Sequence, residues 1–202
     1  MRYKITVVCV LAALAGLMIG CRQYGSESNS GARTVAGSVA KDFVSGGDAR
    51  LILESGDFDV KPSSDNRIHV QWDDATGKEA RVTATVNGQS AEVKVENTPN
   101  KFHATIEVPA ATSLNIQLGT GELRVGEFKG NEEIDNKAGN VTVNTGKTSD
   151  WAQVDVSLTA GDLHAPDFQA NKSGLNPSLH WSGPGKRRLH VTVTAGNVTL
   201  QS

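Results

Sequence analysis

A short pattern recurs five times along this 202-residue chain: a small residue, a glycine, then Asp, Glu or Asn, followed by an apolar–polar–apolar triplet. The five glycines are Gly56, Gly121, Gly139, Gly161 and Gly196. A strand that turns sharply requires one residue with positive φ, which glycine adopts without a Cβ clash. The Asp or Asn beside the glycine can hydrogen-bond the backbone of the corner. The pattern therefore predicts strands that bend at these glycines and return apolar side chains to a core.

The spacing of the glycines indicates the fold class. Steps of 18 residues from Gly121 to Gly139 and 22 residues from Gly139 to Gly161 fit one coil of a β-solenoid. The 35-residue step from Gly161 to Gly196 includes a looser stretch, residues 171–185, which predicts an insertion. We expect an all-β fold, an irregular β-solenoid-like stack of short strands with glycine corners. An antiparallel β-sandwich whose hairpins share turn chemistry is the alternative.

A β-meander is predicted between the first two glycine corners. Apolar and polar residues alternate at period two over residues 67–72, 81–86, 91–96 and 103–108. Such strands bury one face and expose the other. Asn87-Gly88, between the second and third runs, predicts a hairpin with a type I′ turn, in which both central residues have positive φ.

The N-terminus has the features of a secretory signal. Arg2 and Lys4 precede an uncharged run from Ile5 to Gly20, which is shorter than the roughly 20 residues of a membrane-spanning helix. The run ends at Cys21 and resembles the bacterial lipoprotein signal, in which a cysteine is lipidated and becomes the new N-terminus. This implies a signal peptide over residues 1–20 and attachment to the membrane through acyl chains on Cys21. A plain secretory signal and a retained membrane anchor are the alternatives.

The remaining composition bounds the domain and its partners. Residues 21–48 are rich in Ser and Gly, which predicts a flexible tether, and residues 49–202 are expected to form the domain. Twenty basic residues against 22 acidic ones argue against nucleic-acid binding.

The glycine repeats, the repeat-rich half that begins at Pro109, and the terminal segment Gly183–Val191 with Gly196-Asn197-Val198 resemble the bacterial putative-adhesin family. The resemblance covers residues 51 to 200. It implies an all-β, solenoid-like domain on an envelope protein. The family has largely unknown function and no agreed catalytic residues, so the resemblance implies no catalytic site and no cofactor.

One basic cluster is the candidate ligand contact. Lys186, Arg187 and Arg188 lie close to Trp181 and could meet phosphate headgroups or an acidic glycan. A solvated loop is the simpler interpretation. The tryptophans Trp72, Trp151 and Trp181 could stack on sugars, although burial at the ends of the stack is favoured.

Other patterns give weaker indications of chemistry. Asp57 and Asp59 lie two residues apart on one strand, where paired carboxylates could act in glycoside hydrolysis. Gly146-Lys147-Thr148 imitates a phosphate-binding loop but lacks its first glycine. No two of the five histidines have the spacing of a metal site, so no metal is predicted.

Together these features predict a non-enzymatic lipoprotein of the cell envelope. It would present a rigid β domain for adhesion or for interaction with an envelope protein or polysaccharide. A glycan-acting solenoid enzyme and an envelope-stress sensor are the alternatives.

Overall fold

The computed structural model describes residues 35–73 and 80–202. The predicted signal peptide, Cys21 and residues 21–34 of the predicted tether lie outside the described residues. The strands are β1 Val35–Asp42, β2 Asp48–Ser63, β3 Arg67–Asp73, β4 Arg81–Asn87, β5 Ser90–Glu96, β6 His103–Pro109, β7 Ser113–Val125, β8 Glu132–Asn144, β9 Trp151–Ala165, β10 Ala170–Leu175, β11 Ser178–Ser182 and β12 Arg187–Gln201. Two 3₁₀ turns, Thr148–Asp150 and Pro166–Phe168, flank β9. The prediction of an all-β fold is confirmed, and no helix in the described part of the chain is long and apolar enough to cross a membrane.

The five strands that contain the corner glycines lie side by side in the order β2-β7-β8-β12-β9. Every neighbouring pair among them is parallel. An antiparallel sandwich pairs its strands in the opposite sense, so the alternative fold is wrong for this half of the molecule. The parallel stack of bent strands is the solenoid-like arrangement that the repeat predicted.

Each of the five strands bends at its glycine, and the burial pattern records the bend. In β2, Leu51 and Leu53 are buried before Gly56, whereas Phe58 and Val60 are buried after it. Buried residues of β2 have odd numbers before Gly56 and even numbers after it, so the side of the strand that faces the core changes at the corner. The pairs Leu118/Leu123, Asn136/Val141, Leu158/Leu163 and Val193/Val198 repeat this change in the other four strands. We call the parts of these strands before and after the glycine the first arm and the second arm.

The corner glycines form a column across the stack. Gly56 is in register with Gly121, Gly121 with Gly139, and Gly196 with Gly161. Their φ angles lie between 120° and 142°. A Cβ on Gly121 would lie 1.9 Å from the carbonyl oxygen of Gly56, and one on Gly196 would lie 1.8 Å from that of Gly139. Glycine is therefore required at each corner for two reasons: the positive φ angle and the close approach of neighbouring backbones.

The stack does not follow chain order at its far end. A strictly sequential solenoid, which the steps of 18 and 22 residues suggested, would place β9 beside β8. Instead β12 lies between them and pairs with both. The chain after β9 doubles back as β10 and β11, which are both antiparallel to β9. These two strands are the insertion predicted in the 35-residue step, and they cover the outer edge of β9 so that β12 takes the inner one.

The strands of the predicted meander lie on the other side of β2, but only β4 and β5 are neighbours in chain order, because β3 pairs with β6 and the long β2 takes both β5 and β6 as parallel partners. The first arm of β2 pairs with β5 and its second arm pairs with β6. β4 and β5 form the predicted hairpin, in which Asn87 pairs with Ser90. The two central residues are therefore Gly88 and Gln89, and only Gly88 has positive φ. The predicted type I′ turn is wrong because the ladder extends one residue further than the sequence indicated.

The structured domain begins earlier than the composition indicated. Residues Val35–Asp42, assigned to the tether, form β1, which pairs with β3. Val39 packs against the core and Phe43 is buried in it. The Gly, Ser and Ala residues of this segment make it resemble a linker, yet small side chains are compatible with an edge strand, and the ring of Trp72 lies directly over Gly37.

Candidate functional site

The outward side chains of the first arms form a continuous polar surface, which we call the first-arm face. Because the strands are in register, equivalent residues line up in rows across it. One row crosses seven strands in the order Glu92, Arg50, Asn115, Glu133, His190, Asp155 and His180. Acidic groups are interspersed along it with basic and amide groups, so the row carries both signs of charge.

Hydrogen bonds hold neighbouring side chains of this face in place. Nδ2 of Asn115 donates to Oε2 of Glu133 at 2.8 Å. A guanidinium nitrogen of Arg50 donates to Oε1 of Gln117 at 3.3 Å. His180 contacts the Asp155 carboxylate, and Nε2 of Gln153 donates to the other oxygen of that carboxylate at 2.6 Å. The face is therefore a preorganised polar surface rather than a set of independent flexible chains.

Two half-open depressions lie on the first-arm face. The larger, of about 780 Å³, has side chains from four adjacent first arms along it, including Ile52, Gln117, Asp135 and Thr192. The smaller, of about 490 Å³, lies toward the start of the same strands and includes Asp48, Arg50, Asn115, Glu133, Arg188 and His190. The Arg50–Gln117 hydrogen bond joins the two depressions. Their shape suits an extended polar ligand lying across the strands.

The residues that follow the corner glycines form a ladder on the second arms. Nδ2 of Asn140 donates to Oε1 of Glu122 at 2.6 Å, and Nδ2 of Asn197 donates to Oδ1 of Asn140 at 2.9 Å. Oδ1 of Asn197 accepts the backbone N–H of Asp162 at 3.1 Å. The sequence predicted bonds from these side chains to their own corners. In the structure they bond from strand to strand, because register places them side by side.

The three residues of the candidate basic cluster do not point to the same side of the chain. Lys186 and Arg188 are exposed, but Arg187 points inward and is only 9% exposed. Trp181 is half-buried and meets Phe168 edge-on, with ring centroids 5.2 Å apart. As a contact surface, the predicted cluster is therefore reduced to Lys186 and Arg188. Arg187 is unavailable because the neighbouring residues of a strand face opposite sides.

Arg187 belongs to a buried polar group that the sequence analysis missed. Its Nη2 donates to Oε1 of Glu132 at 3.1 Å, and its guanidinium carbon lies 3.9 Å from the centre of the Trp151 ring. Glu132 is only 2% exposed, and burial raises its pKa to about 8 despite the opposing effect of Arg187. The sequence did contain a signal for this buried group. Ile134 is apolar and is expected to face the core, and Glu132 and Asn136, each two positions away on the same strand, face the same side.

The other candidate residues are placed as follows. Trp151 is fully buried and donates its indole N–H to the carbonyl oxygen of Thr145 at 2.9 Å, and Trp72 packs half-buried against the core. Asp57 and Asp59 share the outer side of the second arm of β2, as predicted. Asp59 is held by Arg124 and Lys61, each at 3.4 Å.

The segment that imitates a phosphate-binding loop and the potential metal ligands are placed as follows. Gly146 has a φ of 59°, and the segment after it enters the 3₁₀ turn Thr148–Asp150 rather than the long helix that follows a phosphate-binding loop. Among residues 35–73 and 80–202, no three His, Cys, Asp or Glu side chains are grouped so that they could hold a metal ion.

The fold defines a class of all-β domain, a rack of parallel strands bent at a shared column of glycines. The sequence profile of the Toastrack DUF4097 family matches residues 27–201, and the chain belongs to that family. This confirms the resemblance to β-repeat domains of unknown function. The match begins before residue 49, in agreement with the position of β1.

The chain has likenesses among solved structures of bacterial proteins. A putative cell adhesion protein from Clostridium sporogenes has 14% sequence identity and a TM-score of 0.50, over 82% of this chain and 98% of that one. A putative adhesin from Bacteroides fragilis has 9% identity and a TM-score of 0.30, over 81% of this chain and 95% of that one. The first likeness supports the fold. No curated protein sequence matches the chain.

Proposed function

We propose that this protein is a lipoprotein of the bacterial cell envelope that binds an extended polar polymer, an envelope polysaccharide, on its first-arm face. The observation that carries the proposal is the hydrogen-bonded row of polar side chains across this face, which borders two depressions. The first-arm face is long, of mixed charge and only half-enclosed, which suits a polymer better than a small molecule enclosed for chemistry.

The character of the surface supports a polar partner. Among the described residues, Val44 and Leu175 are the only large hydrophobic side chains classed as exposed. Stable protein–protein interfaces generally centre on buried aromatic or aliphatic anchors. A hydrated polysaccharide needs no such anchor and can be bound through hydroxyl, amide and carboxylate groups such as those of Thr192, Gln117 and Asp135.

A non-enzymatic role is supported by the surroundings of the carboxylates. Asp59, which a glycan-cleaving mechanism would use, is paired with Arg124 and Lys61. Both Asp57 and Asp59 lie on the second arm, away from the two depressions. A panel of envelope polysaccharides is expected to be bound without being cleaved. Turnover that disappears in the Asp57→Asn, Asp59→Asn variant would instead establish the enzyme.

Binding can be assigned to one face by matched variants. The Gln117→Ala, Thr192→Ala variant removes two hydrogen-bonding groups from the larger depression, whereas Thr142→Ala, Thr199→Ala removes two from the second arms of β8 and β12. In co-sedimentation with purified cell-wall polysaccharide, the first variant is expected to bind about tenfold more weakly, equivalent to about 1.4 kcal/mol. Equal binding by both variants would overturn the assignment to the first-arm face.

Anchoring is tested separately through Cys21. Cells grown with a palmitate analogue are expected to label the wild-type chain and not the Cys21→Ala variant, because the acyl chains attach to that cysteine. Labelling of both would remove the lipid anchor from the proposal. Crosslinking in intact envelopes distinguishes a sensor, which would capture one defined protein, from a polymer-binding domain.

A further inference from the structure

The sheet has four open edges in the part of the chain that the structure describes. β1 and β10 end the long path of paired strands, whereas β11 and β4 each pair with one strand, β9 and β5. Open edges accept further strands, and proteins usually protect them with charges, bulges or short strands. β10 is short and contains Lys172, β11 has only five residues, and the pairing of β1 shifts register between Val35 and Gly37. Three of the four edges therefore carry such a protection.

The edge formed by β4 is regular and apolar. From Arg81 to Asn87 it pairs with β5 without a register shift, and no residue after Arg81 in this strand is charged. Its inward side chains, Val82, Ala84 and Val86, pack against the core and are only partly buried. The apolar core therefore reaches the open edge here, and a further strand would cover it.

The backbone of β4 leaves alternate residues free to bond that further strand. Asn87 and Ser90 are register partners that enclose a two-residue turn, in which the first residue accepts a hydrogen bond from the fourth. Because bonding direction alternates along an antiparallel strand, the backbone groups of Asn87 and of every second residue before it are directed to β5. The intervening residues direct theirs to the open edge: Val82, Ala84 and Val86.

The sequence of β4 fits a second copy of itself. Val82-Thr83-Ala84-Thr85-Val86 reads the same in both directions. About a two-fold axis at Ala84, Val82 of one copy lies opposite Val86 of the other, and Thr83 lies opposite Thr85. Matched β-branched side chains are favourable pairs across antiparallel strands. The edge is therefore complementary to itself, as a closed two-fold interface requires.

Charge favours the same direction and register. In this pairing Arg81 of one copy lies opposite Asn87 of the other, so the two arginines lie at opposite ends of the contact. A parallel pairing in register would place the two Arg81 side chains beside each other. Like charges in such positions are destabilising.

We infer that this protein forms a two-fold dimer in which β4 pairs antiparallel with β4 of a second copy, centred on Ala84. The edge residues of the two copies exchange backbone hydrogen bonds, and their inward side chains complete one apolar layer. The first arms of both copies then belong to one continuous sheet. The dimer does not depend on what the first-arm face binds.

Two single-cysteine variants test the register. Thr83 of one copy and Thr85 of the other form a non-hydrogen-bonded pair, whose Cα atoms lie about 4.5 Å apart, within the range of a disulfide. Two Thr83 residues, or two Thr85 residues, are diagonal neighbours about 7–8 Å apart, beyond that range. Thr83→Cys and Thr85→Cys are made in full chains that also carry Cys9→Ser and Cys21→Ser, and are purified in a mild detergent.

A mixture of the two proteins is expected to give a covalent dimer on non-reducing gels, whereas each protein alone is expected to stay monomeric there. If either protein alone crosslinks as well as the mixture, the register centred on Ala84 is wrong. If the mixture gives no covalent dimer, the inference is wrong.

Charges at the same two positions test the contact without cysteines. Thr83 and Thr85 are exposed, and their partners on β5 are Lys94 and Glu92. Thr83→Glu, Thr85→Lys places opposite charges across the two-fold contact, whereas Thr83→Glu, Thr85→Glu places like charges there. Because the axis repeats each contact, the variants differ in two charge pairs. Their dimer dissociation constants, measured by sedimentation in low salt, are expected to differ about tenfold.

Circular dichroism checks that both charge variants keep their β structure. Dimers of equal strength in the two variants would overturn the β4 contact. Monomers in the parent and in both variants would show that another segment or partner covers β4, and the inference would be wrong. If Thr83→Glu, Thr85→Glu does not fold, the cysteine mixture still decides the question.

Discussion

Nδ2 of Asn197 donates to Oδ1 of Asn140 at 2.9 Å, although the two residues are 57 positions apart in the chain. The contact joins β12 to β8, the two strands that are neighbours only because the last strand is inserted out of chain order. It is one step of the ladder that runs along the corners next to the glycine column.

The ladder is expected to contribute cooperatively to stability. Asn140→Ala removes the donor to Glu122 and the acceptor for Asn197. Its free energy of unfolding, measured by urea denaturation, should therefore be about 1–2 kcal/mol lower than that of the wild type. Thr142→Ala, two residues along the same strand, is the matched control and should cost less. In a double-mutant cycle, Asn140→Ala and Asn197→Ala are expected to be non-additive. Additive losses would show that the two amides do not stabilise each other.

The glycine column is expected to be intolerant of alanine for two separable reasons. Gly139→Ala combines an unfavourable φ of 120° with a Cβ placed 1.9 Å from the carbonyl oxygen of Gly121. Gly174→Ala has a φ of 108° but meets no atom within 4 Å, so it measures the backbone cost alone. We expect a loss of about 1–2 kcal/mol for Gly174→Ala and at least about twice that for Gly139→Ala. If thermal unfolding shows equal losses of stability for the two variants, the close approach of neighbouring backbones does not contribute to the need for glycine.

Stability is expected to depend on pH through Glu132. Its pKa is about 8 in the folded protein and near 4.5 without burial, so between these values the folded state binds more protons than the unfolded state. The free energy of unfolding contributed by this group therefore falls as pH rises from about 4.5 to 8, by at most about 1.4 kcal/mol per pH unit. Below about 4.5 it contributes no further change.

Substitution isolates this effect from the titration of other groups. Glu132→Gln is expected to lose the component of the pH dependence between pH 5 and 8, measured by urea unfolding at each pH. Glu133→Gln, at the exposed next position of β8, should keep it. The interpretation fails if the wild type and Glu132→Gln give parallel stability curves.

Asn136 is expected to be a site at which an apolar residue stabilises the domain. Both polar atoms of its side chain are buried without a hydrogen-bond partner among the described residues. Its register neighbours are Leu118 and Val193. Asn136→Leu should raise the free energy of unfolding by about 1–3 kcal/mol, because it removes an unpaired amide from an apolar row. Gln117→Leu, on the exposed side of β7, is the control and should have a much smaller effect. A destabilised Asn136→Leu protein would indicate that leucine overfills the space.

Much of the fold was predictable from local patterns. The alternation around Ile68 and Val93 identifies half-buried strands, and Gly56 identifies a corner, because both features depend only on which residues adjacent positions hold. The hairpin at Gly88 follows from the same local chemistry. Its exact turn was missed, since the length of a ladder depends on how both strands pack, not on the two turn residues alone.

The candidate site was less predictable, for a specific reason. A basic run such as Lys186-Arg187-Arg188 looks uniform in sequence, but strand geometry turns Arg187 inward and its neighbours outward. The first-arm face was not foreseen because it consists of single polar residues from many strands, such as Arg50 and Gln117, with no local motif.

The amino-acid sequence by itself determined the all-β class, the five glycine corners and which side chains of each strand face the core, because glycine conformation and period-two alternation act over a few residues. Only the tertiary structure decided that β12 enters between β8 and β9, that Glu132 meets Arg187, and that the amides of Asn140 and Asn197 form a ladder. These contacts join residues more than fifty positions apart. They depend on register between strands, which is set by the packing of the whole stack.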